Sequence, residues 1–243
     1  MNWSRDLPTP ARALAIAAHP DDIEFNASAT LAKWAASGCE VSHLVLTDGS
    51  KGTWDPGEDI AALVATREVE QRAAAAAIGA TGQVVMFGEV DGELVAGLDQ
   101  RERLARRIRE LRPDVVLGHD PWQRYRLHPD HRNAGWLTID AVVAARDPFF
   151  FPEQGVPHHR PHALLLFEAD EPDHVEDVTG FEEAKVAALL EHRSQYVTTM
   201  EIDPTDTGEQ REAFRKKILG RMRVAGEPVD AAFGEAFKAI RPL

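Results

Sequence analysis

Apolar residues along this chain follow two rhythms. Some form short unbroken runs that end at Gly, Pro or Asp, and others recur every three or four positions over longer stretches. The runs read as strands buried on both faces: 12–18, 41–46, 84–87, 114–118 and 163–167, with 174–178 as a further candidate. The periodic stretches read as helices: 28–37, closed by Gly38; 65–78, closed by Gly79; 100–111, stopping before Pro113; and 129–145. Three further helices are predicted at 181–193, 210–224 and 231–239.

Strands and helices alternate from 12 to 145, so the pattern predicts an α/β fold. The expected architecture is Rossmann-like: a mostly parallel sheet with helices on both faces and an active site beyond the carboxyl ends of the strands. The stretch 149–161, FFFPEQGVPHHRP, reads as a loop elaboration, not a boundary, which leaves one domain over 1–243.

Composition narrows the function. The chain has 243 residues, enough for one large core. Its 27 Lys+Arg face 40 Asp+Glu, a formal net charge of −13. Such a surface repels phosphate backbones and anionic lipid, so neither nucleic acid nor membrane is an expected partner. The single cysteine, Cys39, cannot form an intramolecular disulfide. The apolar run near the N-terminus is too short for a signal peptide, and no segment is long enough to span a bilayer. A cytoplasmic protein acting on a small molecule is the expectation.

The chemistry collects at two strand ends. The first strand runs into AAHPDDIE, which places His19, Asp21, Asp22 and Glu24 just past it. The 114–118 strand is followed by His119, Asp120, His128, Asp130 and His131. In a doubly wound sheet the first strand and the crossing strand are neighbours, so the clusters would face each other at the switch point. His128-Pro129-Asp130-His131 also has helix-start chemistry, with Pro favoured at the first helical position. His128 would cap that helix, and His131, one turn in, would reach the same pocket.

A catalytic zinc takes three protein ligands from His and Asp/Glu and keeps one position for water. One His and one Asp from the first cluster with one His from the second make that set. An aspartate and a histidine are then left for a general base and an oxyanion donor. Spacing does not decide which of Asp21 and Asp22 binds the metal.

AHPDDIE followed by HPDH resembles the GlcNAc-PI de-N-acetylase family, the PIG-L or LmbE-like deacetylases. Thr47-Asp48-Gly49, the Arg67…Glu70…Ala74…Ile78-Gly79 pattern, Arg112-Pro113-Asp114-Val115-Val116 and His192-Arg193-Ser194-Gln195 extend the likeness over about 12–196, with a helical extension at 209–240 outside it. The resemblance implies a zinc-dependent hydrolase, other divalent transition metals being alternatives, that removes the acetyl group of an N-acetylglucosamine-type substrate. It implies His19, Asp22 and His131 as metal ligands and Asp21 as general base. His128 would polarise the carbonyl or protonate the leaving amine, with Asp130 orienting His128 and keeping it cationic. Glu24 would stand behind these groups. Asp48, Arg67, Trp122, Tyr125 and Arg126 are the candidates for touching substrate. Arg126 stands where some relatives have Tyr. The resemblance leaves room for a homo-oligomer.

Other readings compete. A His-Pro turn is ordinarily only a turn, and paired aspartates are ordinarily exposed; the two clusters together argue otherwise. Arg67 could make a surface ion pair with Asp59 or Glu70, and Trp54, Trp122 and Tyr125 could plug their own loops or stack on a sugar. His43 reads as a buried core residue, His119 as a neighbour of the site, and His158, His159 and His162 as surface. An amidase for a thiol-conjugate or other non-sugar N-acyl metabolite is the alternative enzyme. A nucleotide-binding module would want a glycine-rich turn where HPDD stands. A metal-storage protein would not need the spare Asp and His.

Overall fold

The computed structural model describes residues 3–243. Eight strands form one sheet: β1 (Ser4–Arg5), β2 (Arg12–Ala17), β3 (Glu40–Thr47), β4 (Val84–Glu89), β5 (Val115–His119), β6 (Ala163–Phe167), β7 (His174–Asp177) and β8 (Gly234–Ile240). Their order is β1-β7-β8-β6-β5-β2-β3-β4. All pairings are parallel except those of β8, which runs antiparallel between β7 and β6.

Six α-helices accompany the sheet: α1 (Asp22–Ala36), α2 (Ile60–Ala77), α3 (Leu98–Leu111), α4 (Pro129–Arg146), α5 (Glu182–Leu190) and α6 (Glu209–Gly226). Alternation along β2 divides the core. Ala13, Ala15 and Ala17 face α1 through Ile23, Ala27, Leu31 and Trp34. Leu14 and Ile16 face α3 and α4 through Leu104, Ile108, Leu137 and Ala141. A smaller cluster joins Ala29 of α1 to α5 and α6 through Val186, Leu189, Phe214, Ile218 and Met222. Both faces of β2 are therefore dry, which is why its sequence is uninterruptedly apolar.

β2 pairs with β3 on one side and β5 on the other. The chain moves outward through β3 and β4, then returns over the sheet by α3 to β5. The carboxyl ends of β2 and β5 thus flank the topological switch point, as the pattern of runs predicts. α4 lies tightly against the end of β5: a Cβ at Gly135 would meet the His119 carbonyl oxygen and the Pro121 nitrogen, each at 2.8 Å. That close approach brings the start of α4 over the switch point.

Several elements differ from the sequence pattern. The stretch 231–239 is not a helix; most of it lies in β8, which fills the gap between β7 and β6. Helix-forming residues there yield to the free backbone groups of two flanking strands. α1 starts at Asp22, well before 28, because the polar DDIE segment forms its first turn. α2 starts at Ile60, with Asp59 accepting the Ala62 N–H at 3.1 Å as N-cap. α5 stops at Leu190; a 3₁₀ turn (Arg193–Gln195) and a π turn (Tyr196–Met200) follow. The 149–161 loop carries a short 3₁₀ turn at Pro152–Gln154. The two-residue β1 gave no apolar run to read. Among the described residues, no helix is long and apolar enough to cross a membrane.

Candidate active site

Past β2 the chain turns through His19, Pro20 and Asp21 before α1 begins. Asp21 is the N-cap of α1 and takes a left-handed backbone, φ 97°. A non-glycine residue there costs on the order of 1–3 kcal/mol and persists only where its surroundings hold it. The holding groups come from α2, where Gln71 Oε1 accepts the Asp21 N–H at 3.1 Å and Arg67 donates to the Pro20 carbonyl at 2.7 Å.

His128 caps α4, its Nδ1 accepting the Asp130 N–H at 3.3 Å, with Pro129 in the first position. His131 follows one turn in, as the HPDH spacing predicts.

These two turns bring His19, Asp22 and His131 together. His19 Nδ1 and His131 Nε2 lie 3.2 Å apart. Asp22 Oδ2 is 3.3 Å from His19 Nδ1, and its Oδ1 is 3.3 Å from His131 Nε2. The three donor atoms lie within 4.8 Å of one another, two imidazole nitrogens and one carboxylate. That donor set suits a zinc-like cation, with distances that would close around an ion. Behind His19, its Nε2 faces Asp130 Oδ2 at 3.1 Å and Asp91 Oδ1 at 3.2 Å. Carboxylates behind a ligating imidazole are the usual support of such sites. Two neighbouring groups, His19–Asp91–His128 and His119–His131–Glu168, are also close enough to hold an ion. The first draws on the Nε2 face of His19, which Asp91 and Asp130 occupy; the second is crossed by the Arg126 guanidinium, 2.8 Å from Glu168.

Asp21 and Asp22 are both buried, yet their acidities part. Burial pushes the Asp21 carboxyl up to about 6, against the pull of the Arg67 guanidinium 3.5 Å away. Burial would raise Asp22 as well, but the charges of His131 and His119, with their hydrogen bonds, hold it well below the usual carboxylate range. Burial would lower His19; hydrogen bonds to Asp130, Asp22 and Asp91 outweigh it and raise the imidazole well above 6.5. His128 is the opposite case, lowered by burial and by the nearby His19 and His131.

The donors open into a cavity of about 400 Å³ that Asp21, Arg67, Asp91 and His128 also line. Lys51, Gly52, Thr53 and Trp54 form one wall, and Gln195, Thr198 and Thr199 another. Trp54 is 83% exposed at the rim.

Asp130 departs from its expected place. Its carboxylate is occupied by His19 and by the Gly92 and Leu94 amides, at 2.6 and 3.2 Å, so it orients His19 and not His128. His128 meets Asp130 only through its backbone, Nδ1 accepting the Asp130 amide, and its pKa is lowered, not raised as an ion pair with that carboxylate would make it. Arg67 is not in the first turn of α2 and makes no ion pair with Asp59 or Glu70; it is buried and donates to the Gly49 and Pro20 carbonyls. Asp48 accepts the Ser50 and Asp91 amides and shapes a turn outside the cavity lining. Trp122 packs edge-on against Trp136, centroids 5.2 Å apart, and faces a separate depression with Asp120, Arg124 and Asp170. Tyr125 is 91% exposed and does not line the cavity. Arg126 reaches His131 Nδ1 at 2.6 Å and Glu168 at 2.8 Å.

Glu24 is fully buried beneath the turn. Its Oε1 accepts Gln71 Nε2 at 2.8 Å and lies 3.5 Å from His43; its Oε2 lies 3.3 Å from His192 Nε2. His43 is buried, as its strand position predicts, and His119 stands 3.3 Å from Asp22. Asp91 and Glu168 carry no motif, and sequence reasoning missed them. Their signal was position alone, each being an acid just past the carboxyl end of a parallel strand, β4 and β6.

The chain as a whole is similar to known proteins. Residues 14–142 match the family model PIG-L, GlcNAc-PI de-N-acetylase. A diacetylchitobiose deacetylase of Thermococcus kodakarensis is 34% identical over 210 residues, 85% of this chain and 76% of that protein. A 1D-myo-inositol 2-acetamido-2-deoxy-alpha-D-glucopyranoside deacetylase of Streptomyces avermitilis is 34% identical over 63% of this chain, which spans only 60% of that relative's length. The N,N'-diacetylchitobiose deacetylase of Pyrococcus horikoshii superposes with a TM-score of 0.84 at 29% identity, covering 96% of this chain and 85% of that one. With the match reaching over more than half of its length, the chain belongs to the PIG-L family of GlcNAc-PI de-N-acetylases.

Proposed function

We propose that this protein is a metal-dependent N-deacetylase that hydrolyses the acetamide of a small N-acetylglucosamine-type substrate to acetate and a free amine. One observation carries the reading: of two adjacent aspartates on one cavity, Asp22 joins His19 and His131 in a three-donor cluster while Asp21 stands outside that cluster beside Arg67. A carboxylate left out of the donor set but next to it on the cavity is placed to act as a base.

His19, Asp22 and His131 would hold zinc, or a similar divalent transition metal. When bound, such an ion lowers the pKa of water and polarises a carbonyl. Asp21 lines the cavity beside this cluster and accepts the proton of the attacking water. Once protonated, Asp21 can return that proton to the departing nitrogen, so that the amine leaves neutral. His128, with Nδ1 accepting the Asp130 amide, carries its proton on Nε2 and donates it to the oxygen that becomes negative in the tetrahedral intermediate. Asp130 and Asp91 fix the ring of His19 from behind, and Glu168 faces both His119 and Arg126.

Trp54 at the rim supports a sugar, since exposed indoles stack on saccharide rings. The relatives named above act on N-acetylglucosamine-type substrates, so the amidase for a non-sugar N-acyl metabolite is not favoured. The single thiol, Cys39, is buried and free, in keeping with the cytoplasmic setting of this reading.

The test is acetate release by the zinc-loaded protein from N-acetylglucosamine, N,N'-diacetylchitobiose and an N-acetylglucosaminyl-inositol. Release from any of them, with a free amine formed in equal amount, supports the reading. An absence of release from all three with stoichiometric zinc bound would reject it.

A further inference from the structure

Arg67 and Gln71 stand one helical turn apart on α2, and both reach the turn that carries Asp21. Arg67 Nη2 donates to the Pro20 carbonyl at 2.7 Å and Nη1 to the Gly49 carbonyl at 2.8 Å. Gln71 Oε1 accepts the Asp21 N–H at 3.1 Å, while Nε2 donates to Glu24 Oε1 at 2.8 Å. Both side chains are buried. Between them sits Asp21 with φ 97°, a conformation that an aspartate keeps only under restraint. Asp21 makes no side-chain cap bond to its own helix, so the restraint comes from outside. The guanidinium also seats the opposite wall, because a side chain at Gly49 or Gly52 would run into it.

We propose that Arg67 and Gln71 are positioning residues for Asp21: they clamp the HPDD turn in its left-handed form and so aim the Asp21 carboxylate into the cavity. The proposal rests on Asp21 being the base. Asp22 is secured independently, accepting the His19 N–H at 2.8 Å, so loosening the clamp leaves the metal donors in place. Releasing it lets the backbone at 21 relax toward the ordinary regions, and the carboxylate leaves its working position. Misplacement of a catalytic group by about 1 Å costs about 100-fold in rate.

The experiment uses the full chain loaded with zinc, as Arg67→Ala and Gln71→Leu, with N,N'-diacetylchitobiose as substrate. For both variants kcat falls by about 100-fold at unchanged KM and unchanged zinc content. Added guanidinium restores kcat in Arg67→Ala and does nothing for Gln71→Leu. A raised KM with kcat intact would overturn the proposal and return Arg67 to substrate binding. An unchanged kcat in either variant would also overturn it. If Arg67→Ala does not fold, Gln71→Leu decides. Hydrogen–deuterium exchange at the Asp21 amide gives a readout free of catalysis. Faster exchange at 18–24 in both variants is the expected result, and unchanged exchange there overturns the clamp. If wild type releases no acetate at all, the deacetylase reading fails, and the exchange data still decide the clamp.

Discussion

Asp21 and Asp22 are consecutive in the chain, but their carboxylates face different surroundings. Both line the cavity, but Asp22 lies within 3.3 Å of His19, His119 and His131, whereas Asp21 lies 3.5 Å from Arg67. The left-handed turn at 21 makes this division, since α1 begins at the next residue.

Asp130 supports the site through His19. Replacing it by Asn removes the charge behind the Nε2–H while keeping the shape. Zinc affinity, measured by competition with a chelator, falls about 10- to 100-fold. Affinity equal to wild type would mean that Asp91 alone orients the ring.

His128 has two roles that can be separated. It caps α4 with Nδ1 and lines the cavity. Asn is among the best N-caps, so His128→Asn keeps thermal stability close to that of wild type. Turnover falls by about 10²- to 10³-fold, the usual effect of losing one oxyanion donor. A fall in stability with turnover preserved would make His128 a cap alone.

Acid stability is set partly where β8 meets the chain entering β7. Asp173 accepts the Ala239 amide at 2.9 Å and the Lys238 ammonium at 2.6 Å, tying β8 to the chain entering β7. Burial would raise its pKa, but these two partners outweigh it and hold it below 3.8. Asp177 is likewise lowered, its burial outweighed by Thr179 and Arg5. A depressed carboxyl stabilises the fold above its unfolded pKa, and that contribution disappears as pH falls through the folded value. Asp173→Asn therefore costs about 1 kcal/mol near neutrality. Denaturant titrations at falling pH should show the gap to wild type closing below about pH 4. A gap independent of pH would refute the assignment.

The two clusters were legible because polar residues interrupt apolar runs at the ends of β2 and β5, and strand ends are where open α/β sheets place function. HPDH was legible because Pro at the first helical position dictates the cap. Asp91 and Glu168 were not, since one acid in a turn looks like any other until the sheet brings its strand ends together. Arg67 was misplaced because the start of α2, Ile60-Ala61-Ala62-Leu63-Val64, is an unbroken apolar run, largely exposed, that carries no helical periodicity. β8 was read as a helix because its pairing partners are distant in sequence. Phe237, fully buried in β8, tests that correction: Phe237→Ala costs about 3–5 kcal/mol by chemical denaturation, as for any core phenylalanine. A cost below 1 kcal/mol would be that of a surface helix.

The most direct test of the account compares Asp21→Asn with Asp22→Asn, measuring zinc per chain and acetate released by each. The account predicts that Asp21→Asn binds one zinc and loses about 10²- to 10⁴-fold in turnover, while Asp22→Asn fails to retain the metal. Full turnover in Asp21→Asn, or equal loss of zinc from both, would contradict the division of labour between these neighbouring aspartates.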